Sequence, residues 1–488
     1  MSLHPLDIAA LAAYLLLITG IGFYFSRKNT STEEYFVGGR SFSGWVIGLS
    51  LVGTSISSIT FLAYPGDAFK TSWIRFVPNL MLPIAILFAA YFFLPFFRRG
   101  KITSAYEYLE DRFGPSVRVY GAVAFIIAQI VRVSMILFLL SLVIQELTGL
   151  SATSCILIGG IVVAVYTIVG GIDAVIWTDV MQTIVLVLGG ILCLWVIVDA
   201  LPGGLGQIFE VSDQFNKLSF SVLENGNLNA MGWEIRFDEK TITMMLFIGL
   251  IAWLTEYSSN QNTVQRYCAS KSTSEARKAM FIAVLSSLPI WAFYMFLGTA
   301  LFVFFHQFPA TAPQEMLDGT RAAEQILPYF ISNHLPAGVA GLVIASALAA
   351  AMSSLDSSIN AISTVSVVDI YRRHLKPNED DKHYLRAAWI IAAVSALLMI
   401  GGAIYLANAE TKTLQDTATV LTSILGGGLL GLYLIGFFTQ QGDARAAWVG
   451  LVSTMVFTGW TILSKKGLLP DSISVPFDLY YTGFVGNV

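Results

Sequence analysis

Charge is scarce in this chain. Charged residues make up 12% of 488, and hydrophobic residues 55%. With a mean hydropathy of +0.69, that balance excludes a soluble globular domain. Cysteine is scarcer still: Cys155, Cys193 and Cys268 lie in or beside apolar runs, with neither disulfide nor metal-ligand spacing. They read as small buried hydrophobes. The five histidines include no paired metal spacing. No phosphate-binding Walker loop occurs, so ATP is not the expected energy source, and nucleic acid is not an expected partner. No nucleophile–base pair or metal cluster sits at membrane depth, so the chain is expected not to be an enzyme. The soluble output domain that a solute sensor carries is also missing.

Long apolar runs dominate what remains. Twelve of them approach the roughly 20 residues that cross a bilayer: 6–26, 43–64, 75–97, 119–147, 153–169, 177–199, 241–258, 280–306, 336–366, 387–407, 416–438 and 446–464. The expected class is an all-α polytopic membrane protein with twelve complete spans. The stretch from Asp478 to Phe484 reads as a truncated thirteenth. Arg27 and Lys28 follow the first run, so it is not a cleaved signal peptide, and the N-terminus is placed outside. Under that threading the cytoplasmic loops, Arg266, Lys271, Arg277 and Lys278 among them, hold about twice the lysine and arginine of the outer segments. The outer loop near 200–240 is expected to carry a short interfacial helix.

Span nine carries hydroxyls and a carboxylate where an apolar face is the rule. On a helix, Ser353, Ser354 and Ser357 share one face with Ala350, and Asp356 borders it. Such an oxygen stripe at membrane depth replaces the water shell of a small hard cation, and points to sodium. In span two, Gly53 precedes Thr54, Ser55, Ser57, Ser58 and Thr60. Those hydroxyls either bond back to carbonyls in an intact helix or mark an unwound stretch that frees carbonyls for an ion. Arg132 stands alone inside span four and is expected to face the bundle interior. It either grips a substrate carboxylate with its planar fork or pairs internally with Asp67, Glu146, Glu256 or Asp356. Asp179 follows the turn Gly170-Gly171 and is placed near the cytoplasmic face, where a carboxylate caps a helix start. Ser259 to Asn262 read as ordinary helix-ending amides.

Four separated motifs carry a family resemblance. The hydroxyl-rich second span, Trp177-Thr178-Asp179, Val264-Gln265-Arg266-Tyr267, and Met352 to Leu355 leading to Val368-Asp369-Ile370-Tyr371 resemble the sodium/solute symporters over essentially the whole chain. The similarity is greatest to the bacterial sodium/sialic acid branch, through Ser57 to Phe61, Lys101 to Glu110, and Gly171-Ile172 leading to Val180.

The resemblance implies an inverted repeat of five plus five broken helices. The first span and its loop (1–42) are then peripheral, the two repeats cover 43–240 and 241–440, and 441–488 forms a C-terminal peripheral span and stub. It implies a Na+ site with carbonyls of Gly53, Ile56 and Ala350 and hydroxyls of Ser353 and Ser354 as ligands. A second site would use Asp179, Asp356 and Ser357, although Asp356 stands where the branch has serine. The implied substrate residues are Ser55, Ser57, Thr60, Asn79 and Arg132, with Ser55 in place of threonine and Asn79 in place of glutamine. The implied activity is sodium-driven import of a small anionic sugar, sialic acid first. Uronic acids, other monocarboxylates and neutral sugars are the alternatives. The expected setting is the bacterial inner membrane, with the chain acting as a monomer in the lipid bilayer.

Overall fold

The computed structural model describes residues 4–27, 29–98, 100, 102–224, 227–236, 240–408, 427–465 and 467–477. Nine helices among them are long and apolar enough to cross a membrane, or ten when one bent pair counts as a single span. The eleventh expected span falls partly, and the truncated thirteenth wholly, outside the described residues. The first crossing helix is α1 (Pro5–Ser26), followed by the short α2 (Thr32–Val37).

The second span is two helices, α3 (Gly44–Ser55) and α4 (Ser58–Lys70), bent by 58°. Between them Ile56 (φ −97°, ψ 110°) and Ser57 (φ −112°, ψ −178°) are extended. The hydroxyl run is thus an unwound joint. Ser57 caps α4 by accepting from the Ile59 amide at 3.3 Å, the usual start signal of a helix.

The third span opens as a 3-10 turn (Ile74–Met81), runs through α5 (Leu82–Phe88), widens to a π-turn (Ala89–Phe93), and ends as α6 (Leu94–Arg98). Then come α7 (Glu107–Phe113), α8 (Pro115–Thr148) and α9 (Ala152–Ala200). At 49 residues α9 is roughly 70 Å long, enough for two crossings, and it breaks at Gly171 (φ 57°, ψ −157°). That turn is the expected Gly170-Gly171 punctuation between spans five and six.

The loop near 200–240 carries α10 (Gly204–Gln214), as expected. It also carries a hairpin that the sequence did not suggest, β1 (Ser221–Glu224) antiparallel to β2 (Asn227–Ala230), with Val222 opposite Asn229. A second broken helix follows, α11 (Ile242–Ser259) and α12 (Gln261–Ala269), with Asn260 extended between them. The Asn260 side chain accepts from the Asn262 amide at 2.9 Å and caps α12. The amides expected to end one helix therefore join two.

The remaining helices are α13 (Thr273–Gln307), α14 (Thr311–Asp318), α15 (Ile326–His334), α16 (Val339–Val365), α17 (Asp381–Asn408), α18 (Leu429–Phe438) and α19 (Ala444–Lys465). A π-turn (Ser366–Leu375) continues α16.

Burial ranks the spans. The most apolar window of α16, with its π-turn, is 83% buried, against 17% for α1. So α16 is the central post, packed on α1, α8, α9 and α17. The carboxylate of Asp7 on α1 caps it, accepting from the amides of Gly338 at 2.7 Å and Gly341 at 2.8 Å. On the same side of the molecule as the α7–α8 corner, Arg118 donates to Asp369 at 2.7 Å and to Glu110 at 2.6 Å.

Gly171 has a φ that L side chains avoid, and a Cβ there would meet the Tyr35 ring at 2.8 Å and its carbonyl at 3.0 Å. Gly171→Ala is expected to cost about 1–3 kcal/mol. Thermal melting in detergent checks this, and an unchanged midpoint would show that the turn adapts without strain.

Candidate ion and substrate site

The joint in the second span leaves oxygens bare. Among the described residues, no backbone amide donates to the carbonyls of Gly53, Thr54, Ser55 or Ile56, because the chain is extended where their partners would lie. Helix α16 packs against both α3 and α4. It carries Ala350, Ser353 and Ser354, all buried. Ser353 Oγ donates to the Ala350 carbonyl at 3.2 Å. Ser354 Oγ is buried with no hydrogen-bond partner among the described residues. Free carbonyls and an unpartnered hydroxyl at membrane depth are the donor set that a small monovalent cation satisfies.

A second polar cluster lies between α9, α12 and α16, and its centre is Arg266. This side chain is 1% exposed, so the reading of Arg266 as a cytoplasmic-loop cation is corrected. Its Nη2 donates to Asp179 Oδ2 at 2.6 Å and to Ser357 Oγ at 2.8 Å. Its Nε donates to Ser50 Oγ at 2.8 Å, and Nη1 to the Asn262 carbonyl at 2.6 Å. Ser50 also donates to Asp179 Oδ2 at 2.6 Å. Asp179 is therefore not a cap: it lies two turns past the Gly171 break and is fully buried. Its other oxygen, Oδ1, has no partner among the described residues.

Asp356, also 0% exposed, is turned toward α9. It accepts from Tyr166 at 2.7 Å, from Thr178 at 3.2 Å and from the Ser357 amide at 2.6 Å. Thr54 and Ser357 hydroxyls meet at 3.3 Å, so the two clusters share a wall.

The expected substrate residues are placed less uniformly. Ser57 and Thr60 are buried at the start of α4, and Ser55 ends α3 half-buried. Asn79 is buried in the 3-10 turn and donates to the Tyr64 hydroxyl at 2.5 Å. That contact joins it to α4 through a tyrosine the sequence did not single out. Arg132 is exposed on α8 and forms no hydrogen bond or ion pair with a described residue.

The internal partners proposed for Arg132 are otherwise engaged. Asp67 pairs with Arg75, Glu256 accepts from Asn260 and Thr263 at 2.7 Å each, and Asp356 is held as above. The Glu146 side chain lies outside the described set. Gln129, one turn before Arg132, accepts from Ser358 of α16 at 3.1 Å, which places that stretch of α8 against the central helix.

Two broken helices facing one central post, with bare oxygens at one break, are the features of an ion-coupled transporter. Comparison with known proteins agrees. The profile of the Sodium:solute symporter family matches residues 35–453, and the chain belongs to that family. Sodium is accordingly its coupling ion.

The chain is 33% identical to the sodium/sialic acid symporter SiaT of Proteus mirabilis over 462 residues, covering 93% of this chain and 90% of that one. It is 32% identical to the sodium/sialic acid symporter NanT of Aliivibrio fischeri, covering 94% and 88%. Among solved structures it is similar to a Na+-coupled sialic acid symporter in its substrate-bound, outward-open state, with TM-score 0.89, 29% identity and coverage of 99% and 95%.

Removing one member of a buried ion pair strands the other. Arg266→Met is expected to destabilise the protein by about 3–5 kcal/mol, and Arg266→Met with Asp179→Leu to recover most of that loss. Melting of the single and double variants in detergent checks the cycle. Additive losses would show that the pair contributes no coupling.

Proposed function

We propose that this protein imports a sialic acid, N-acetylneuraminate, across a bacterial inner membrane together with sodium. The observation that carries the reading is the joint likeness to sialic acid symporters in sequence and fold across nearly the whole chain. The proposed topology has twelve spans in a five-plus-five inverted repeat with the N-terminus outside, and the chain acts as a monomer. No nucleotide or nucleic acid takes part.

The first sodium is held by the carbonyls of Gly53, Ile56 and Ala350 and the hydroxyls of Ser353 and Ser354. Support comes from the carbonyls left bare at the joint and from the unpartnered Ser354 hydroxyl. Sodium there ties α3 to α16 and orders the joint, so that less entropy remains to be lost when the solute binds. The solute then meets Ser55, Ser57, Thr60 and Asn79. Its carboxylate pairs with Arg132, whose guanidinium has no described carboxylate of its own.

A second sodium engages Asp179, Asp356 and Ser357. Two buried carboxylates face the one guanidinium of Arg266; with both ionised, a second cation balances the charge left over, and a proton on Asp356 would do so in its place. A monoanion moving with one sodium carries no net charge. With two, an inside-negative potential adds about 2.3 kcal/mol per 100 mV.

Reconstituted vesicles with an inward sodium gradient test this. Labelled N-acetylneuraminate should accumulate in the wild type, and Arg132→Ala should abolish uptake while sodium still raises the melting temperature. A different sugar acid taken up in its place would trace to the room left by the shorter Ser55 and Asn79. Ser354→Ala is expected to raise the sodium concentration for half-maximal uptake about tenfold, the effect of losing one charge-assisted ligand contact. An unchanged sodium dependence would remove Ser354 from the site.

A further inference from the structure

The outer loop before α11 buries a lysine. Lys217, just after α10, is 3% exposed. Its ammonium donates to the carbonyls of Phe69 at 2.7 Å and Thr71 at 3.1 Å. It also lies 4.0 Å from the centroid of the Phe302 ring, near the outer end of α13. Phe69 and Thr71 straddle the end of α4, where the last carbonyls lack amide partners and the helix dipole is negative.

The residues after Lys217 continue along the same edge. The Trp73 amide donates to the Ser219 carbonyl at 2.9 Å, and Ser72 Oγ donates to the Ser221 carbonyl at 2.7 Å. The chain reaches this position by turning at Asn216 (φ 52°), whose carbonyl accepts from Ser219 Oγ at 2.6 Å. Lys217 forms no salt bridge with a described carboxylate, and burial pulls its pKa down to about 7. A charge at such a place is held by the two carbonyls and the ring face, the attraction of a cation for an aromatic quadrupole being strongest where water is excluded.

We propose that Lys217 is a positioning residue for transport, its ammonium pinning the outer end of α4 to α13 and so holding Ser57, Thr60 and Tyr64 at the angle the solute requires. Helix α4 joins α3 only through extended Ile56 and Ser57, so it is a lever of about 20 Å hinged at the ion site. Tyr64, which receives the Asn79 amide, sits halfway along it. Any swing of the outer end moves that pair. Pro65 and Gly298 bring α4 and α13 into close approach, Phe69 packs on the Phe302 and Phe305 rings, and Lys217 adds the polar tie at the tip.

The inference rests on reading α4 as a substrate-bearing half-helix, and the experiment separates the two. Lys217→Met and Lys217→Gln are compared with wild type in vesicles, with uptake measured against N-acetylneuraminate and sodium. Backbone amide exchange is measured on the purified protein. Lys217→Met is expected to raise KM for the solute about tenfold with Vmax nearly unchanged. Its amide exchange should quicken over residues 66–73 and not in α16. Lys217→Gln keeps two donors but no charge and should fall between.

Unchanged KM and exchange, or a loss of protection spread over the whole protein with KM unaltered, would overturn the proposal. Should the wild type fail to take up N-acetylneuraminate, the substrate reading falls, while the exchange pattern still decides whether Lys217 is a clamp.

Discussion

One guanidinium holds the interior of this protein together. Arg266 reaches Ser50 on α3, Asp179 on α9 and Ser357 on α16, and returns to the Asn262 carbonyl of its own helix. Those contacts cross both broken helices and the central post. A buried charge of this kind cannot be left half-satisfied, so each element it touches is constrained by the others. The relative placement of the two joints, at Ile56–Ser57 and at Asn260, follows from that constraint more than from apolar packing, which is equally available at many rotations.

The polar interior divides along α16. The helix presents Asp356 to α9, while Ser357, on the stripe that also carries Ser353 and Ser354, meets Arg266 of α12 and Thr54 of α3. The shared wall is thin, a 3.3 Å approach of the Thr54 and Ser357 hydroxyls. An ion that orders the joint therefore acts next to the Arg266 network, and a change on either side is felt on the other through packed side chains rather than through solvent.

Much of this was legible in the sequence, for reasons that also explain what was not. The hydroxyl run after Gly53 announced a weak helix because several side chains there compete for the backbone, and the structure unwinds it two residues later. The stripe on span nine was legible because helical spacing puts Ser353, Ser354 and Ser357 together without any tertiary information. Arg266 was not, since α12 is short and polar and hydropathy assigns such a segment to a loop. Only the fold buries it. The joint at Asn260 was hidden because amides end helices as readily as they interrupt them. The depth of Asp179 depends on where the Gly171 turn sits in three dimensions. The exposure of Arg132 depends on neighbours far away in sequence, and no local pattern encodes either.

The cap that Asp7 places on α16 has a consequence for biogenesis. The carboxylate is made long before its partners, for the amides it satisfies lie 331 and 334 residues later. At ordinary ribosomal rates that interval is roughly 20–60 seconds. Throughout it α1 must leave that polar side chain to water, and can settle against α9 only provisionally. Docking of α16 then completes the cap, so α1 reaches its final place only after a helix made long after it.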